Sequence, residues 1–506
     1  MELSLERKPI TVNETILDIN TEQAVESDML LADYYPRISR ILRCCVETSV
    51  DQAVVSGERL IVDGVALCRV FYKSEEGRPA SVTVKLPYTK AVELRRAPQK
   101  PQIAVQSYPG YFSCRAVNSG RLEIRGAVVL HCRVTAPSEA QALHWAEGSG
   151  MQCRCRPLCC GQLLRCSTRS LTARGEERLS DGIPSDAALL RATSRVGDAT
   201  FKAVGGKLVA KADAVTELVL IGPDGTLYRE ELEIPVSEIL DAEGADENAI
   251  CSVSFTVDWT DAKLSSVAAD EQPMASVELS LTAWIWAMAN ETDSFMTDCF
   301  STCYETTQET RPFQLLRGVE PVHRNIPIEA EIPLPEGSGE VMDLWAELAE
   351  QSAAGGEGSL RLTGRVRFAG LVQTGGEPEY FEHLADFSEE IPVDGTVGEQ
   401  LADFRVELQD SSRTAGGLNV RAQVKADAAM ALQETARLIT EAAVQEQKPV
   451  KQRGAGCLTL YFPEPGEQVW EIAKRYSTAP AAILEENGLT DDGAAGEGML
   501  LIPAVR

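Results

Sequence analysis

A run of closely spaced cysteines is the feature of this sequence that most resembles a chemical centre. In MQCRCRPLCCGQLLRC the thiols are those of Cys153, Cys155, Cys159, Cys160 and Cys166, which are enough to bind a zinc ion. Their CxC and CC spacing lacks the paired CxxC knuckles that surround a tetrahedral metal. Cys153 and Cys155 fall on one face of an alternating strand. The spacing favours buried or partly exposed strand cysteines, with metal binding and redox or crosslinking chemistry as the alternatives.

Other signatures of catalysis are missing from the sequence. The four histidines, His131, His144, His323 and His383, lie outside metal-binding helices, catalytic loops and cysteine-partnered motifs. No GxxxxGK(S/T) loop, and no GxGxxG after a strand, is present to hold a phosphate. The Asp and Glu residues form no isolated pair within apolar sequence, as general acid-base catalysis would require. We therefore predict a non-enzymatic protein without a cofactor or metal.

The charge of the chain also excludes classes of partner. The formal net charge of the 506 residues is −28, and the acidity is concentrated after residue 178. Such a field repels nucleic acid and anionic lipid, so we expect neither as a partner. The N-terminus has no basic start followed by an apolar run, and no stretch is apolar enough to span a membrane. Fourteen scattered cysteines without a secretion signal predict reduced thiols in a cytoplasm.

The elements predicted to position the cysteines and histidines are recurring β-strands. An alternating pattern returns about every 150 residues, as expected for a tandem repeat. The apolar positions in the three copies begin at Leu60, Leu208 and Leu360, and the third copy, LRLTGRVRF, is the most regular. Each strand is followed by a turn signal, which is Glu76-Gly77, Asp224-Gly225 or Gly375-Gly376. The pattern predicts a β-hairpin in every copy.

A lead-in segment precedes the hairpin of each copy. The three segments are DYYPRISRILRCC from Asp33, PSDAALLRATSRV from Pro184 and EVMDLWAELAEQ from Glu340. Their apolar spacing fits either a short helix or an extended linker.

The first copy resembles the SPOCS domain, a spore-coat-associated family of uncertain biochemical function. The resemblance rests on DYYPRISRIL, VDGVALCRVFYKSEEG and KLPYTKAVEL, and it weakens in the second and third copies. It implies a mainly β body of sandwich-like SPOCS repeats at residues 33–178, 179–330 and 331–440. An N-terminal segment, 1–32, precedes the repeats. A polar tether, 441–456, follows them and leads to a C-terminal domain at 457–506.

The C-terminal segment shows a strand, helix, helix, strand pattern. Leu458, Leu460 and Phe462 alternate as a strand, and Val469 to Tyr476 has helical spacing with basic residues in its last turn. Pro480 suits the first turn of a second helix, and Gly488 supplies its left-handed end. Leu500 and Ile502 form the returning strand. Local chemistry therefore predicts a small α+β (βααβ) fold.

This segment resembles the LysM domain over nearly its whole length. The helix containing Trp470, Ile472 and Ala473, the turn Asn487-Gly488-Leu489 and the ending Leu501-Ile502-Pro503 occur in the order of that family. The resemblance implies a binding groove between two loops, whose residues here are Gly466, Glu467, Gln468, Val469, Trp470, Asn487, Gly488, Leu489 and Thr490.

One departure from the LysM pattern affects the ligand expected in that groove. The family usually has Gly-Asp-Thr where this chain has Gly466-Glu467-Gln468, whose longer side chains cap a helix less well. Protein docking needs only an exposed surface with an anchor, and Trp470 is the candidate. The alternative is that Trp470 belongs to the core of a very small domain.

The order of three SPOCS-like repeats followed by a LysM-like segment is similar to the architecture of the SipL-like family of spore coat morphogenetic proteins. The resemblance implies a non-catalytic scaffold in the mother-cell cytoplasm, at the forespore surface or spore coat. Its LysM domain is expected to dock the spore coat morphogenetic ATPase or another coat protein, and its SPOCS repeats to supply further coat contacts. The competing hypothesis is binding of peptidoglycan, a polymer that contains N-acetylglucosamine.

Overall fold

The chain is built almost entirely from antiparallel β-strands. The computed structural model describes residues 3–265, 273–414, 416–450, 458–490, 493 and 498–503. Its strands fall into three units, at residues 4–147 (unit 1), 151–301 (unit 2) and 304–449 (unit 3). A C-terminal module, residues 458–490 with 493 and 498–503, follows them. The prediction of a mainly β fold is confirmed.

The strands are long, and each unit has its own set. Unit 1 contains β1 (Ser4–Leu30), β2 (Ile38–Ser56), β3 (Arg59–Ser74), β4 (Pro79–Glu93), β5 (Gln102–Asn118) and β6 (Arg121–Glu147). Unit 2 contains β7 (Met151–Cys159), β8 (Gln162–Arg178), β9 (Ala188–Val196), β10 (Thr200–Val204), β11 (Lys207–Ile221), β12 (Leu227–Asp241), β13 (Ile250–Ser265), β14 (Met274–Ala289) and β15 (Thr292–Ser301). Unit 3 contains β16 (Tyr304–Pro333), β17 (Ser338–Gly355), β18 (Glu357–Thr374), β19 (Glu377–Arg413) and β20 (Gly417–Pro449). The C-terminal module contains β21 (Leu458–Tyr461), α1 (Val469–Tyr476), α2 (Pro480–Asn487) and β22 (Leu500–Pro503).

Two layers of strands enclose an apolar core in each unit. In unit 1 they are the sheets β2-β3-β4 and β1-β6-β5, and in unit 2 they are β9 and β10 on β11-β12 against β13-β14-β8. Unit 3 is one sheet, β16-β20-β19-β18-β17, whose long β19 runs through both layers. The predicted boundary after residue 178 lies at the end of β8, which pairs with β14 and so belongs to the core of unit 2.

The three lead-in segments are strands rather than helices. They run through β2, β9 and β17, which pair with the central strands β3, β11 and β18. Pairing gives their backbone groups hydrogen-bond partners in the sheet. Register shifts interrupt the regular pairing of β2 and β17 at three places each. Such irregularities disturb a strict two-residue alternation, which is why the sequence pattern is ambiguous here.

The predicted turns lie where the sequence places them. Gly77, Gly225 and Gly376 have φ values of 85°, 85° and 84°, in the left-handed region that favours glycine. Each turn connects the central strand of its unit to the next strand, so that the two form an antiparallel hairpin.

The three units pack against one another through equivalent positions. Phe71, Val219 and Leu371 each lie eleven residues after the first apolar position of their repeat, and all three join one buried cluster. A second shared core lies where the ends of the first and last strands of the units meet, and it includes Phe295 of unit 2 and Phe313 of unit 3. The repeats therefore form one body with shared cores.

The first part of the predicted tether is a strand. Residues 441–449 belong to β20 and pair with β16, and Ala442 is buried in a core shared with β6 and β15. The polar and small composition that predicts a flexible linker includes Ala442, whose small side chain fits this packed contact. Residues 451–457 of the predicted tether lie outside the described residues. No helix in the described part of the chain is long and apolar enough to cross a membrane.

Candidate binding site

The C-terminal module is a two-stranded ribbon with two short helices on one side. β21 and β22 pair in antiparallel fashion, and Ile472, Ile483 and Ile502 form the module's core. Helix α2 begins at Pro480, whose fixed φ suits a first turn. Gly488 ends it with φ 62°, and the next backbone N–H, that of Leu489, donates to the carbonyl oxygen of Leu484 at 3.0 Å. These local features are those that the sequence predicts.

The loop before α1 is held by the side chain of Glu467. Its carboxylate accepts hydrogen bonds from the Tyr461 hydroxyl at 2.8 and 3.0 Å and from the Glu464 N–H at 3.1 Å, and it pairs with Arg475 at 2.9 Å. Burial acts to raise the pKa of Glu467, but the hydrogen bond from Tyr461 and these other contacts lower it overall. Gln468 takes the cap position of α1 in extended conformation, without a side-chain cap. Gly466 is exposed, with φ 84°.

The loop after α2 lies against the module and close to the first loop. The Asn487 amide donates to the carbonyl oxygens of Ile483 and Leu501, and its Oδ1 accepts from the Leu501 N–H at 2.7 Å. Asn487 therefore ties α2 to β22 instead of facing a ligand. The Val469 N–H of the first predicted loop donates to the carbonyl oxygen of Gly493, three residues beyond the second predicted loop, at 3.0 Å. Thr490 is exposed.

Trp470 is occupied by a contact with the body of the protein. Its side chain is 3% exposed and meets Phe300 of β15 edge to face, with ring centroids 5.1 Å apart. The indole Nε1–H donates to Asp298 Oδ2 at 2.8 Å, and Lys474 Nζ pairs with the same carboxylate at 2.7 Å. Burial acts to raise the pKa of Asp298, yet its bonds with Lys474 and Trp470 lower it overall. Of the two roles considered for Trp470, the structure shows a packed position and not an exposed anchor.

The exposed apolar surface of the module lies on β21 instead. Leu458, Leu460 and Phe462 are 50%, 58% and 71% exposed, and Met499 beside β22 is 50% exposed. Thr459 and Tyr461 alternate with them, and Tyr461 packs on the core of the module. The alternation of β21 is visible in the sequence, but it does not reveal which face is buried. We call these four apolar residues the β21 patch.

The cysteine run lies on strands β7 and β8 and around the connection between them. Cys153 and Cys155 share one face of β7, and their thiols donate to the carbonyl oxygens of Ala146 and His144 at 3.2 and 3.3 Å. Desolvation raises the pKa of both thiols, which favours the protonated form. Within the described residues, no group of three or more His, Cys, Asp or Glu side chains could hold a metal ion.

The fold and this site describe a mainly β protein of three packed units with a small helix-containing module at its C-terminal end. No protein-family model, curated protein or solved structure matches the chain. The resemblances to the SPOCS and LysM families are therefore hypotheses about this chain.

Proposed function

We propose that this protein is a non-catalytic scaffold of endospore coat assembly, in which the C-terminal module is a LysM domain that docks a protein partner. The observation that carries the proposal is the β21 patch, where four large apolar side chains are each at least half exposed. Exposed apolar clusters of this kind mark interaction surfaces, because covering them removes apolar area from water. The partner implied by the sequence resemblance is the spore coat morphogenetic ATPase or another coat protein.

The remainder of the proposal concerns the body of the chain. Its three units, proposed here as SPOCS repeats, present related but diverged surfaces for further coat contacts. Several weak contacts on one chain raise the effective concentration of each partner near the next. The protein acts in the mother-cell cytoplasm, at the forespore surface, and performs no chemistry there.

The state of the predicted groove favours a protein partner over a glycan. Trp470 is packed against Phe300, Glu467 is paired with Tyr461 and Arg475, and the Asn487 amide is bonded to backbone within the module. Few polar side chains of the two loops remain for a sugar. Peptidoglycan binding is the second candidate because the LysM resemblance implies a groove between the two loops, and Gly466 and Thr490 of those loops are exposed.

The test compares full-length variants for binding to the purified coat morphogenetic ATPase. Leu460→Asp combined with Phe462→Asp should weaken binding at least tenfold, since central apolar contacts dominate interface energy. Tyr111→Asp is the matched control, because Tyr111 on β5 is 77% exposed and lies outside the β21 patch. Equal affinity of the double variant and the wild type contradicts docking by the patch. Sedimentation of the same proteins with insoluble peptidoglycan, unaffected by the double substitution, supports the glycan candidate.

A further inference from the structure

A group of three thiols lies in the core of unit 1, distinct from the cysteine run of β7 and β8. Cys44 is on β2, Cys68 on β3 and Cys114 on β5, and all three belong to or pack against one apolar core. Each is a free thiol. Cys68 is fully buried, whereas Cys44 and Cys114 are partly exposed and therefore within reach of small solutes.

The strand register explains why these thiols come together. Cys44 pairs with Val70 on β3, and Cys68 is two residues from Val70, so Cys44 and Cys68 lie on the same face of the sheet β2-β3-β4. Cys114 pairs with Ile124, which is buried in the same core, and therefore faces that core from the sheet β1-β6-β5. Strands β2 and β5 are edges of these two sheets and run beside each other.

Contact between the thiols sets their reactivity. The thiol of Cys44 is in hydrogen-bonding contact with those of Cys114 and Cys68. The bond with Cys114 lowers the pKa of Cys44, but Cys68 and burial raise this pKa overall, to about 12. The bond with Cys44, together with burial, raises the pKa of Cys114 well above its ordinary range. Both thiols are therefore protonated at neutral pH and react slowly, because the thiolate is the reactive form.

We propose that Cys44 and Cys114 form a reversible disulfide that joins the two sheets of unit 1. A disulfide requires side chains that point toward each other from Cα atoms about 4.4–6.8 Å apart. Because β2 and β5 belong to different sheets, no ladder of hydrogen bonds fixes their separation, and a small approach of the two edges brings the sulfur atoms together. Cys68 lies diagonally across a paired ladder from Cys44, which holds those two backbones apart. This inference does not rest on the function proposed for the C-terminal module.

The bond forms by oxidation, for which hydrogen peroxide is a sufficient oxidant. The Cys44 thiolate, which accepts a hydrogen bond from the Cys114 thiol, attacks one oxygen of the peroxide. The O–O bond breaks, one oxygen leaves as water, and Cys44 becomes a sulfenic acid. The Cys114 sulfur then attacks the Cys44 sulfur, so that the S–S bond forms and the second oxygen leaves as water. In total the two thiols lose two electrons and two protons, and a thiol reductant reverses the reaction by disulfide exchange.

The disulfide changes the stability of unit 1. Cys44 and Cys114 are 70 residues apart in the chain, so the bond restricts a long loop in the unfolded state. In the folded state it fastens two edge strands that belong to different sheets. We therefore expect oxidation to raise the melting temperature by at least about 5 °C.

The test is oxidation of the full-length protein with hydrogen peroxide, followed by alkylation of the remaining thiols, proteolysis and mass spectrometry. Peptides linked through Cys44 and Cys114 should be the main intramolecular product. Their rate of formation should rise about tenfold per pH unit between pH 7 and 9, as the thiolate fraction does. Cys44→Ala should abolish both this product and the rise in melting temperature. Cys132→Ala is the matched control, because Cys132 is buried in the same core but outside the group of three thiols, and it should form the link as the wild type does.

Three outcomes would overturn the inference. One is that Cys44 and Cys114 remain unlinked at every peroxide concentration up to pH 9. Another is a link from Cys44 to Cys68, or to any other cysteine, as the main product. The third is a link between Cys44 and Cys114 that leaves the melting temperature unchanged, which would mean that the bond does not join the sheets of the folded unit. Oxidation of the wild type requires no variant to fold, and Cys114→Ala repeats the variant test if Cys44→Ala does not fold.

Discussion

The buried ion pair between Arg191 and Asp343 provides the sharpest test of how the units are joined. Arg191 belongs to β9 of unit 2 and Asp343 to β17 of unit 3, and their side chains are 2% and 1% exposed. The guanidinium donates twice to the carboxylate, at 2.6 and 3.1 Å, and lies 5.2 Å from the ring centroid of Trp345. We expect Asp343→Asn to keep the shape of this contact and to remove its charge.

The expected loss follows from the burial of Arg191. Removing one partner of a buried ion pair costs about 3–5 kcal/mol because the other charge is left uncompensated. Arg191 retains Glu217 at 3.4 Å, and an asparagine can still accept one hydrogen bond. Arg229, which also pairs with Asp343 at 2.9 Å, is half exposed and retains Glu217 as well. The loss should therefore lie near the lower end, about 3 kcal/mol, which is a large part of the ~5–15 kcal/mol that stabilises an ordinary domain.

Urea-induced unfolding, followed by tryptophan fluorescence, measures this loss. The control is Glu390→Gln, which removes the charge from the Arg361–Glu390 pair, whose side chains are 60% and 58% exposed and 3.5 Å apart. An exposed pair of this kind contributes about 0–1 kcal/mol. If Asp343→Asn costs no more than the control, the ion pair does not hold units 2 and 3 together. A double variant, Arg191→Met with Asp343→Leu, should recover most of the lost stability, because neither charge is then left buried.

Three further predictions concern other parts of the protein. Burial raises the pKa of Asp258 to about 8, above the pKa of ~4 that an aspartate has in the unfolded chain. The stabilisation contributed by the protonated form is therefore complete below pH ~4 and is lost as the pH rises through about 8. Asp258→Asn should flatten this decline in urea titrations across that interval, and an unchanged slope would contradict it. Phe71→Ala should cost about 3–5 kcal/mol of unfolding free energy, since Phe71 is 1% exposed where the three units meet; a loss below 1 kcal/mol would argue against that packing. Asp298→Asn should weaken the attachment of α1 through Trp470, seen as faster amide exchange in α1 with β18 unchanged.

The local pattern of residues in the sequence is sufficient to predict the strands and turns. Leu360, Leu362, Val366 and Phe368 are all fully buried on one face of β18, as their alternation predicts. Gly77 adopts the positive φ expected of its turn. These features depend on neighbours close in the chain, so a single sequence contains the information needed to predict them.

Long-range pairing is what the sequence alone could not provide. The first strand, β1, pairs with β6 more than a hundred residues later, and no local signal specifies this partner. The candidate site shows the same limit. Its turns and helix ends were predictable, whereas the contact of Trp470 with Phe300 joins positions 170 residues apart. Which face of β21 is exposed could not be predicted for the same reason. Packing within the module places Tyr461, and not Phe462, against its core.

Divergence between the repeats has a physical role in fixing their arrangement. Arg43, Arg191 and Asp343 occupy equivalent positions on the lead-in strands, since each pairs with Phe71, Val219 or Leu371 on the central strand of its unit. Three arginines at these positions would repel one another, and three identical units could pack in more than one order. In unit 3 the equivalent residue is Asp343, which pairs with Arg191 of unit 2, while Arg43 pairs with Glu382 at 2.9 Å. Misassembly is a characteristic failure of tandem repeats, and unlike charges at equivalent sites discriminate against it. Arg229 and Glu217 also contact this pair, at 2.9 and 3.4 Å. An exchange variant, Arg191→Asp with Asp343→Arg, should therefore be more stable than either change alone but less stable than the wild type, because it sets like charges against Arg229 and Glu217.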